Sequence, residues 1–378
     1  MISLGLGLTS TRGGGVAASL IRNAGALSAF NTAVTNRASS PVIIAVAGDS
    51  WGERFNTGAY GLGWVDLLAA GIRAKYPTTG ADSGQGGADF NPPDYSQPAS
   101  GSIHAYTSLR GGFGGGISAG GFGRRYFTYT AIGHGARYTK TFTELAVDWF
   151  NNASVSGTIT VSIDGGVTAG VDFFTINTAT GTANKVNRTV LGATFSDASH
   201  TVDVDCLIVG VGNCLFMGLT PYRGNRTKGF TIIEACRQGS TANDENLGND
   251  HLIASGCHLL ILPVTINDYN AQTASATYET RITARMATAR TSNASLPILL
   301  MGYNAPNNLG ARTPTYPTVL ASLATLSDAD PTKTAFLDIS SVFPTSAADT
   351  GNTYWDTDLL HPKAAGHTLI SSTLVGQL

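Results

Sequence analysis

Three residues are suited to nucleophilic catalysis: Ser50 near the start of the chain, and Asp358 and His361 close together near its end. A serine hydroxyl is a weak nucleophile at neutral pH and needs a base within hydrogen-bond reach. Histidine is the usual base, and a carboxylate must then hold its ring and stabilise the imidazolium. Taken alone, each part has an ordinary explanation. Ser50 could simply cap a helix, and the segment with Asp358 and His361 could be a surface turn. Together they predict a Ser–His–Asp site.

Two further residues, Gly239 and Asn267, are candidates for stabilising the oxyanion of an ester under attack. We predict an oxyanion hole formed by the Ser50 N–H, the Gly239 N–H and the Asn267 amide. The structural alternative is that both residues simply occupy turns, which glycine and asparagine favour in general. Trp51 and Tyr269 flank the nucleophile and the asparagine and are weaker candidates for substrate binding, with core packing as the alternative.

The elements that must position these residues alternate between strands and helices. Five short aliphatic runs have the composition of strands buried on both faces: 41–47, 230–235, 258–264, 297–301 and 335–339. Helical patterns lie at 64–75, 278–291, 316–326 and 363–375. Such alternation is typical of βαβ units, so we predict a five-stranded parallel sheet in an α/β/α sandwich. The candidate residues follow strands, at the carboxyl edge where open sheets bind ligands.

The pattern changes between Lys75 and Phe230. Residues 78–123 are rich in Gly, Ser, Pro and Asn and are predicted to be loop, whereas residues 124–222 show alternation and turn signals typical of an antiparallel β-sandwich. We therefore expect three parts: an N-terminal extension at 1–38, an α/β domain at 39–123 and 223–378, and an inserted β-sandwich at 124–222. The apolar run at 16–30 is expected to pack on the body or on a partner.

Composition excludes several classes of function. Formal net charge is −2 and charged residues make up 13% of the chain, without a basic stripe, which argues against electrostatic nucleic-acid binding. No stretch has the apolar length of a membrane span, and the N-terminus lacks the charged start of a signal peptide. The four cysteines form no metal-binding pattern, so we expect no metal and buried free thiols. A Cys206–Cys214 disulfide is the alternative.

In chain order the candidate blocks are Gly48-Asp49-Ser50, Gly239, Asn267-Asp268 and Asp358-Leu359-Leu360-His361. This order resembles the SGNH, or GDSL-like, hydrolases across residues 41–76 and 229–378. The resemblance implies a flavodoxin-like α/β/α fold and ester hydrolysis without a cofactor or metal. It also implies that Ser50, Gly239, Asn267 and His361 are the four residues that name the family, with Asp358 as the acid of the triad.

The sequence departs from the family pattern at two places. Thr265 stands where a glycine often precedes the asparagine, and the asparagine often found ahead of the second-block glycine is not evident. Asp49 is expected to hold the turn after the first strand rather than to take part in chemistry.

The long interruption between the first two blocks is similar to that of phage or prophage tail esterases and some carbohydrate esterases, which carry a β-sandwich there. This resemblance implies an O-acetyl ester on a polysaccharide as substrate and a virion or extracellular location. It also implies a homo-oligomer or virion tail proteins as partners. The alternatives are a lipase or small-ester hydrolase, and a non-catalytic tail or surface adhesin that binds carbohydrate. The joint presence of Ser, Asn, Asp and His favours an enzyme.

Overall fold

The computed structural model describes residues 19–54, 57, 59, 61–78, 87–90, 107–111, 113–117, 125–129, 131–151, 157–180, 185–209, 214–243, 256–303, 306 and 309–378. Its strands are β1 (Ile21–Arg22), β2 (Val42–Val46), β3 (Gly87–Phe90), β4 (Ser108–Arg110), β5 (Phe113–Ile117), β6 (Arg125–Tyr129), β7 (Gly135–Phe142), β8 (Glu144–Asn151), β9 (Gly157–Ile163), β10 (Phe173–Asn177), β11 (Lys185–Val190), β12 (Ala198–Val209), β13 (Cys214–Tyr222), β14 (Phe230–Glu234), β15 (Leu259–Pro263), β16 (Ile298–Gly302) and β17 (Thr334–Asp338). Its helices are α1 (Ser28–Thr35), α2 (Trp64–Lys75), α3 (Ile266–Asn270), α4 (Ser275–Ala289), α5 (Tyr316–Ala329) and α6 (Ala364–Gln377).

A parallel sheet in the order β17-β16-β15-β2-β14-β3 carries the α/β part of the chain. All five aliphatic runs predicted as strands are present in it. Strands β14, β15 and β16 are buried at every position, because both of their faces are covered. The parallel part has six strands rather than the predicted five, since β3 pairs with β14, and β1 adds an antiparallel edge on β17.

The sixth strand lies in the segment 78–123, which we expected to be loop. Among its described residues this segment contributes β3, β4 and β5. Strand β5 includes three consecutive glycines, Gly114 to Gly116, which pair with residues 126–128 of β6. Glycine weakens side-chain patterning but keeps its backbone donor and acceptor, so a glycine-rich strand can form by ladder hydrogen bonds alone.

Antiparallel strands extend the parallel sheet and pack against a second sheet. Strand β13 pairs with β3 and continues the large sheet through β8, β11, β6 and β5, while the second sheet has the order β10-β9-β12-β7-β4. A shared apolar core joins them, with Phe127, Tyr129, Val147, Trp149 and Phe216 from the large sheet and Tyr138, Phe142, Ile159, Val161 and Val204 from the second. The predicted antiparallel strands therefore exist, but one layer is continuous with the parallel sheet through β3. The division into domains, with an insert at 124–222, stays a prediction.

The described part of the N-terminal extension packs on the body. Ile21 of β1 pairs with Leu337 of β17, and Leu27 and Phe30 are buried in the main core. A 3-10 turn at Ala24–Leu27 leads into α1. Of the two expected locations for this segment, packing on the body is the one that the structure has.

Helices α2 and α6 pack together, and a buried histidine joins them. His367 in α6 has no exposed surface, and its Nδ1 accepts the backbone N–H of Trp64 at the start of α2 at 3.1 Å. The bond satisfies one of the N–H groups that a helix start leaves without an intrahelical partner. Within the described ranges, no helix combines the length and the apolar character needed to cross a membrane.

The four cysteines are buried thiols that form no disulfide, as expected. Cys206 Sγ and Cys214 Sγ lie 3.6 Å apart in the core between the two sheets. A disulfide bond is about 2.05 Å long, so the alternative of a bridge is not realised in this structure.

A buried carboxylate in the large sheet gives a test of this architecture. Asp148 in β8 has no exposed surface, and Arg188 in β11 donates to both of its oxygens, at 2.7 and 3.2 Å. The Thr220 hydroxyl is a further donor to this carboxylate, at 2.6 Å.

We expect Arg188→Met to lower the free energy of unfolding by about 3 kcal/mol, because it leaves a buried carboxylate without its cation. Urea denaturation followed by tryptophan fluorescence measures the change. The matched control is Arg223→Met, which breaks an ion pair with Asp197 whose side chains are 45% and 36% exposed, and which should cost less than about 0.5 kcal/mol. Equal losses in the two variants would show that the Asp148 pair is not the stabilising contact.

Candidate functional site

Ser50, His361 and Asp358 form a continuous chain of hydrogen bonds at the carboxyl edge of the parallel sheet. Ser50 Oγ lies 2.9 Å from His361 Nε2, and His361 Nδ1 lies 2.7 Å from Asp358 Oδ2. Ser50 and His361 are each 7% exposed, so the pair is shielded from bulk water. The structure thus brings Ser50 against His361, which lies 311 positions further along the chain.

A compact loop before α6 holds the histidine and its carboxylate. Asp358 Oδ1 accepts the backbone N–H groups of Leu360 and His361 at 2.8 and 2.9 Å. Partial burial opposes ionisation of Asp358, but the His361 ring and the two N–H donors outweigh it and lower the pKa of this carboxyl to about 2. Asp358 is therefore ionised at neutral pH. It favours a proton on His361 Nδ1, which leaves Nε2 as the acceptor that faces Ser50.

The turn that contains Gly239 lies directly against the turn that contains Ser50, which we call the nucleophile turn. Gly239 has φ 73°, in the left-handed region that glycine adopts without strain, and Ser240 N–H closes the turn on Arg237 O at 3.2 Å. The Arg237 N–H and the Ser240 hydroxyl both donate to Gly48 O, at 3.0 and 2.9 Å. This double contact joins the end of β14 to the end of β2.

Asn267 joins the third turn to the second. Its Nδ2 donates to Ser240 O at 2.9 Å, which uses one of the two amide hydrogens and leaves the other for a ligand. Among the described residues, the backbone N–H groups of Ser50 and Gly239 have no protein acceptor. Two unused N–H groups and one amide hydrogen thus belong to three turns that are bonded to one another.

Asp49 ties the first turn to the third. Its carboxylate is 1% exposed, and its oxygens accept the backbone N–H groups of Trp51 at 3.1 Å and Ile266 at 2.8 Å. The same residue closes the nucleophile turn through its backbone carbonyl, which accepts the Gly52 N–H at 3.1 Å. Asp49 therefore holds the turn after β2, as expected from sequence. It also accepts a hydrogen bond from the turn that follows the neighbouring strand β15.

A buried ion network that sequence analysis missed supports the Gly239 turn. The Arg54 guanidinium donates to Asp66 at 2.7 and 3.0 Å and to Glu234 at 3.2 Å. Glu53 accepts the backbone N–H of Gln238, next to Gly239. The acidic residues come from elements as distant as α2 and β14, so no local sequence pattern reveals the network.

Trp51 and Tyr269, the two candidates for substrate binding, lie in the core. Trp51 has no exposed surface and stacks on Tyr303 with ring centroids 4.4 Å apart. Tyr269 meets Tyr316 edge to face at 5.0 Å and is also buried. These positions match the alternative of core packing, and they remove direct access of either ring to a ligand in this structure.

The arrangement as a whole has the parts of an acyl-transfer site. A nucleophile contacts a base, the base contacts a carboxylate, and unused N–H donors lie on the adjoining turns. In the part of the chain that the structure describes, no three His, Cys, Asp or Glu side chains are grouped so that they could hold a metal ion.

Comparison with known proteins supports the fold. No protein-family model and no curated protein sequence matches this chain. A solved structure described as a peptidoglycan O-acetylesterase is 16% identical, with a TM-score of 0.63 over 94% of this chain and 97% of its own. Family two carbohydrate esterases from Clostridium thermocellum and Cellvibrio japonicus match at 12% identity over 67% and 77% of this chain and 93% and 96% of theirs. Their TM-scores of 0.31 and 0.29 are too low to carry an argument. The chain therefore shares a mixed α/β fold with a solved esterase over nearly its whole length.

Proposed function

We propose that this protein is a serine esterase that uses Ser50 as its nucleophile. The observation that carries the proposal is the hydrogen-bond chain from Ser50 Oγ through the His361 ring to Asp358, with distances of 2.9 and 2.7 Å. A buried serine at a structural turn has no need of a histidine that is itself held by an ionised carboxylate. The shared fold with an O-acetylesterase is consistent with this chemistry.

The proposed reaction is two-step acyl transfer. His361 Nε2 takes the Ser50 proton as Oγ attacks the ester carbonyl, and Asp358 stabilises the imidazolium that forms. Collapse of the tetrahedral intermediate breaks the bond to the alcohol, which His361 protonates as it leaves. Water then attacks the acyl-enzyme with His361 as the base, which releases the carboxylic acid and restores Ser50.

The proposed oxyanion hole consists of the Ser50 N–H, the Gly239 N–H and the remaining Asn267 amide hydrogen. Each lies on a turn that buried polar groups hold in place, through Gly48 O, Ser240 O and the Asp49 carboxylate. Donors fixed before the reaction need little reorganisation when charge develops, which makes them effective in a site shielded from water.

For the substrate we propose an O-acetyl group on a polysaccharide. The support is the structural likeness to a protein described as a peptidoglycan O-acetylesterase. We further propose a flavodoxin-like core of the SGNH type, in which residues 124–222 form an inserted β-sandwich that contacts the glycan. A lipase is the less favoured alternative, because the likeness over most of the chain is to an O-acetylesterase.

Asp49, beside the proposed nucleophile, makes the stability of the folded protein depend on pH. Burial raises the pKa of this carboxyl to about 6, although the N–H groups of Trp51 and Ile266 oppose the shift. Because the folded protein holds this proton more tightly than the unfolded chain, the stability that Asp49 contributes is present at low pH. It is lost as the pH rises through about 6.

The first prediction for the proposed function concerns the nucleophile. Ser50→Ala should lower the turnover of p-nitrophenyl acetate by several orders of magnitude while the protein stays folded, because loss of the nucleophile lowers kcat. Initial rates and circular dichroism of the purified variant measure both. A well-folded Ser50→Ala protein that keeps most of its activity would rule out the proposed mechanism.

The second prediction concerns the oxyanion donor. Asn267→Ala is expected to lower kcat about a hundredfold or more with little change in KM, because the amide bonds to the oxygen chiefly in the transition state. Asn270→Ala is the control, since this exposed asparagine ends the same short helix and bonds to Arg312. A change confined to KM would assign Asn267 to substrate binding instead.

The third prediction compares wild type with Asp49→Asn, which cannot ionise. The unfolding free energy of wild type minus that of the variant should fall by about 2 kcal/mol between pH 4 and pH 7, since most of the pKa shift of Asp49 lies within this pH range. Urea denaturation at both pH values measures the difference. A difference that grows with pH would show that the ionised carboxylate is the favoured form.

A further inference from the structure

The side chain of Trp51 reaches from the nucleophile turn to the histidine loop. Trp51 follows Ser50 directly, and its indole Nε1–H donates to Leu360 O at 3.1 Å. Leu360 directly precedes His361. A single side chain therefore connects the neighbour of the proposed nucleophile with the neighbour of the proposed base.

The Trp51 end of this connection is held at both its backbone and its ring. The backbone N–H of Trp51 donates to Asp49 Oδ1 at 3.1 Å, and its ring lies among Tyr303, Phe343 and Trp355 with centroids 4.4, 5.9 and 5.4 Å away. Close packing on several sides leaves the indole little freedom to change its rotamer. The donor nitrogen is therefore fixed relative to Ser50.

The loop that receives the bond has hydrogen bonds of its own, which do not relate it to the turn that contains Ser50. Asp358 accepts the N–H groups of Leu360 and His361, but these bonds lie within the loop itself. Leu359 has φ 52°, a left-handed conformation that costs energy in a residue with a side chain. The bond from Trp51 comes from outside the loop and relates the position of the loop to the nucleophile turn.

We propose that Trp51 is a positioning residue that sets the separation between Ser50 Oγ and His361 Nε2. The inference rests on the proposed function, because it assigns Trp51 a role in that same site. It replaces direct substrate contact, for which the ring is too deeply buried. Displacement of about 1 Å between reacting groups is enough to slow an enzyme by about a hundredfold, so one fixed hydrogen bond can affect the rate strongly.

The test is Trp51→Phe, which keeps an aromatic ring and removes the N–H donor. We expect kcat for p-nitrophenyl acetate to fall about tenfold or more with KM nearly unchanged. The rate at which a fluorophosphonate reagent modifies Ser50 should fall in parallel. A purely structural role would lower the melting temperature without this split between kcat and KM.

The matched control is Trp149→Phe, far along the chain in β8. Trp149 is also buried, and its indole Nε1–H donates to Thr189 Oγ1 at 3.0 Å. This variant loses a comparable ring volume and a comparable hydrogen bond, so its melting temperature should fall similarly while kcat and the fluorophosphonate rate stay at the wild-type level.

Equal kcat in the two variants, or a Trp51 effect confined to KM, would overturn the inference. If Trp51→Phe fails to fold, replacement of Trp51 by 3-benzothienyl-alanine, which has sulfur in place of the indole N–H, makes the same measurement at constant shape. Ser50→Ala distinguishes failure of the proposed function from failure of the role proposed for Trp51. An active Ser50→Ala protein would overturn the proposed function and this inference together, whereas an inactive one beside a fully active Trp51→Phe would overturn this inference alone.

Discussion

Three turns at one edge of the parallel sheet carry backbone N–H groups that strands and helices do not satisfy, and buried acceptors must satisfy most of them. Asp49 accepts from its own turn and from the turn after β15, Glu53 and Glu234 accept from the turn after β14, and Gly48 O accepts twice from that same turn. A buried N–H without a partner costs about as much as a lost hydrogen bond, so these acceptors are needed for the fold to be stable. The result is an edge whose three turns are hydrogen-bonded to one another.

The donors left without protein acceptors are the ones from which the proposed oxyanion hole is built. Ser50 N–H and Gly239 N–H are such donors in the described part of the chain, and both lie on turns that are otherwise fully tied. Proteins commonly leave a polar group unsatisfied where function requires it and compensate in the surroundings. Asp358 is ionised at neutral pH and bonds the His361 ring, so the proposed base has a charged partner in place before any reaction.

In the described part of the chain, hydrogen bonds between strands join the antiparallel strands to the parallel sheet through β3. Tyr222 of β13 pairs with Ala88 of β3, and β3 pairs along β14, whose end leads to the Gly239 turn. Hydrogen bonds in a sheet fix strand spacing and register, so the antiparallel layers have a defined orientation to the parallel sheet. Any surface they present to a polymer is therefore placed by the same backbone bonds that place the site.

The sequence by itself determined the parts whose signals are local. Aliphatic runs marked the strands β2, β14, β15, β16 and β17, and the spacing of Asp358 and His361 marked a pair that closes within one loop. Only the tertiary structure decided the rest. The short β3 and the glycine-rich β5 have no alternating side-chain pattern, so their pairing depends on which backbone lies beside them. The Arg54 network and the bond from Trp51 to Leu360 join residues separated by up to about 300 positions. Such contacts arise only when the chain has folded, because what brings the partners together is the order of the strands in the sheet and not their distance along the sequence.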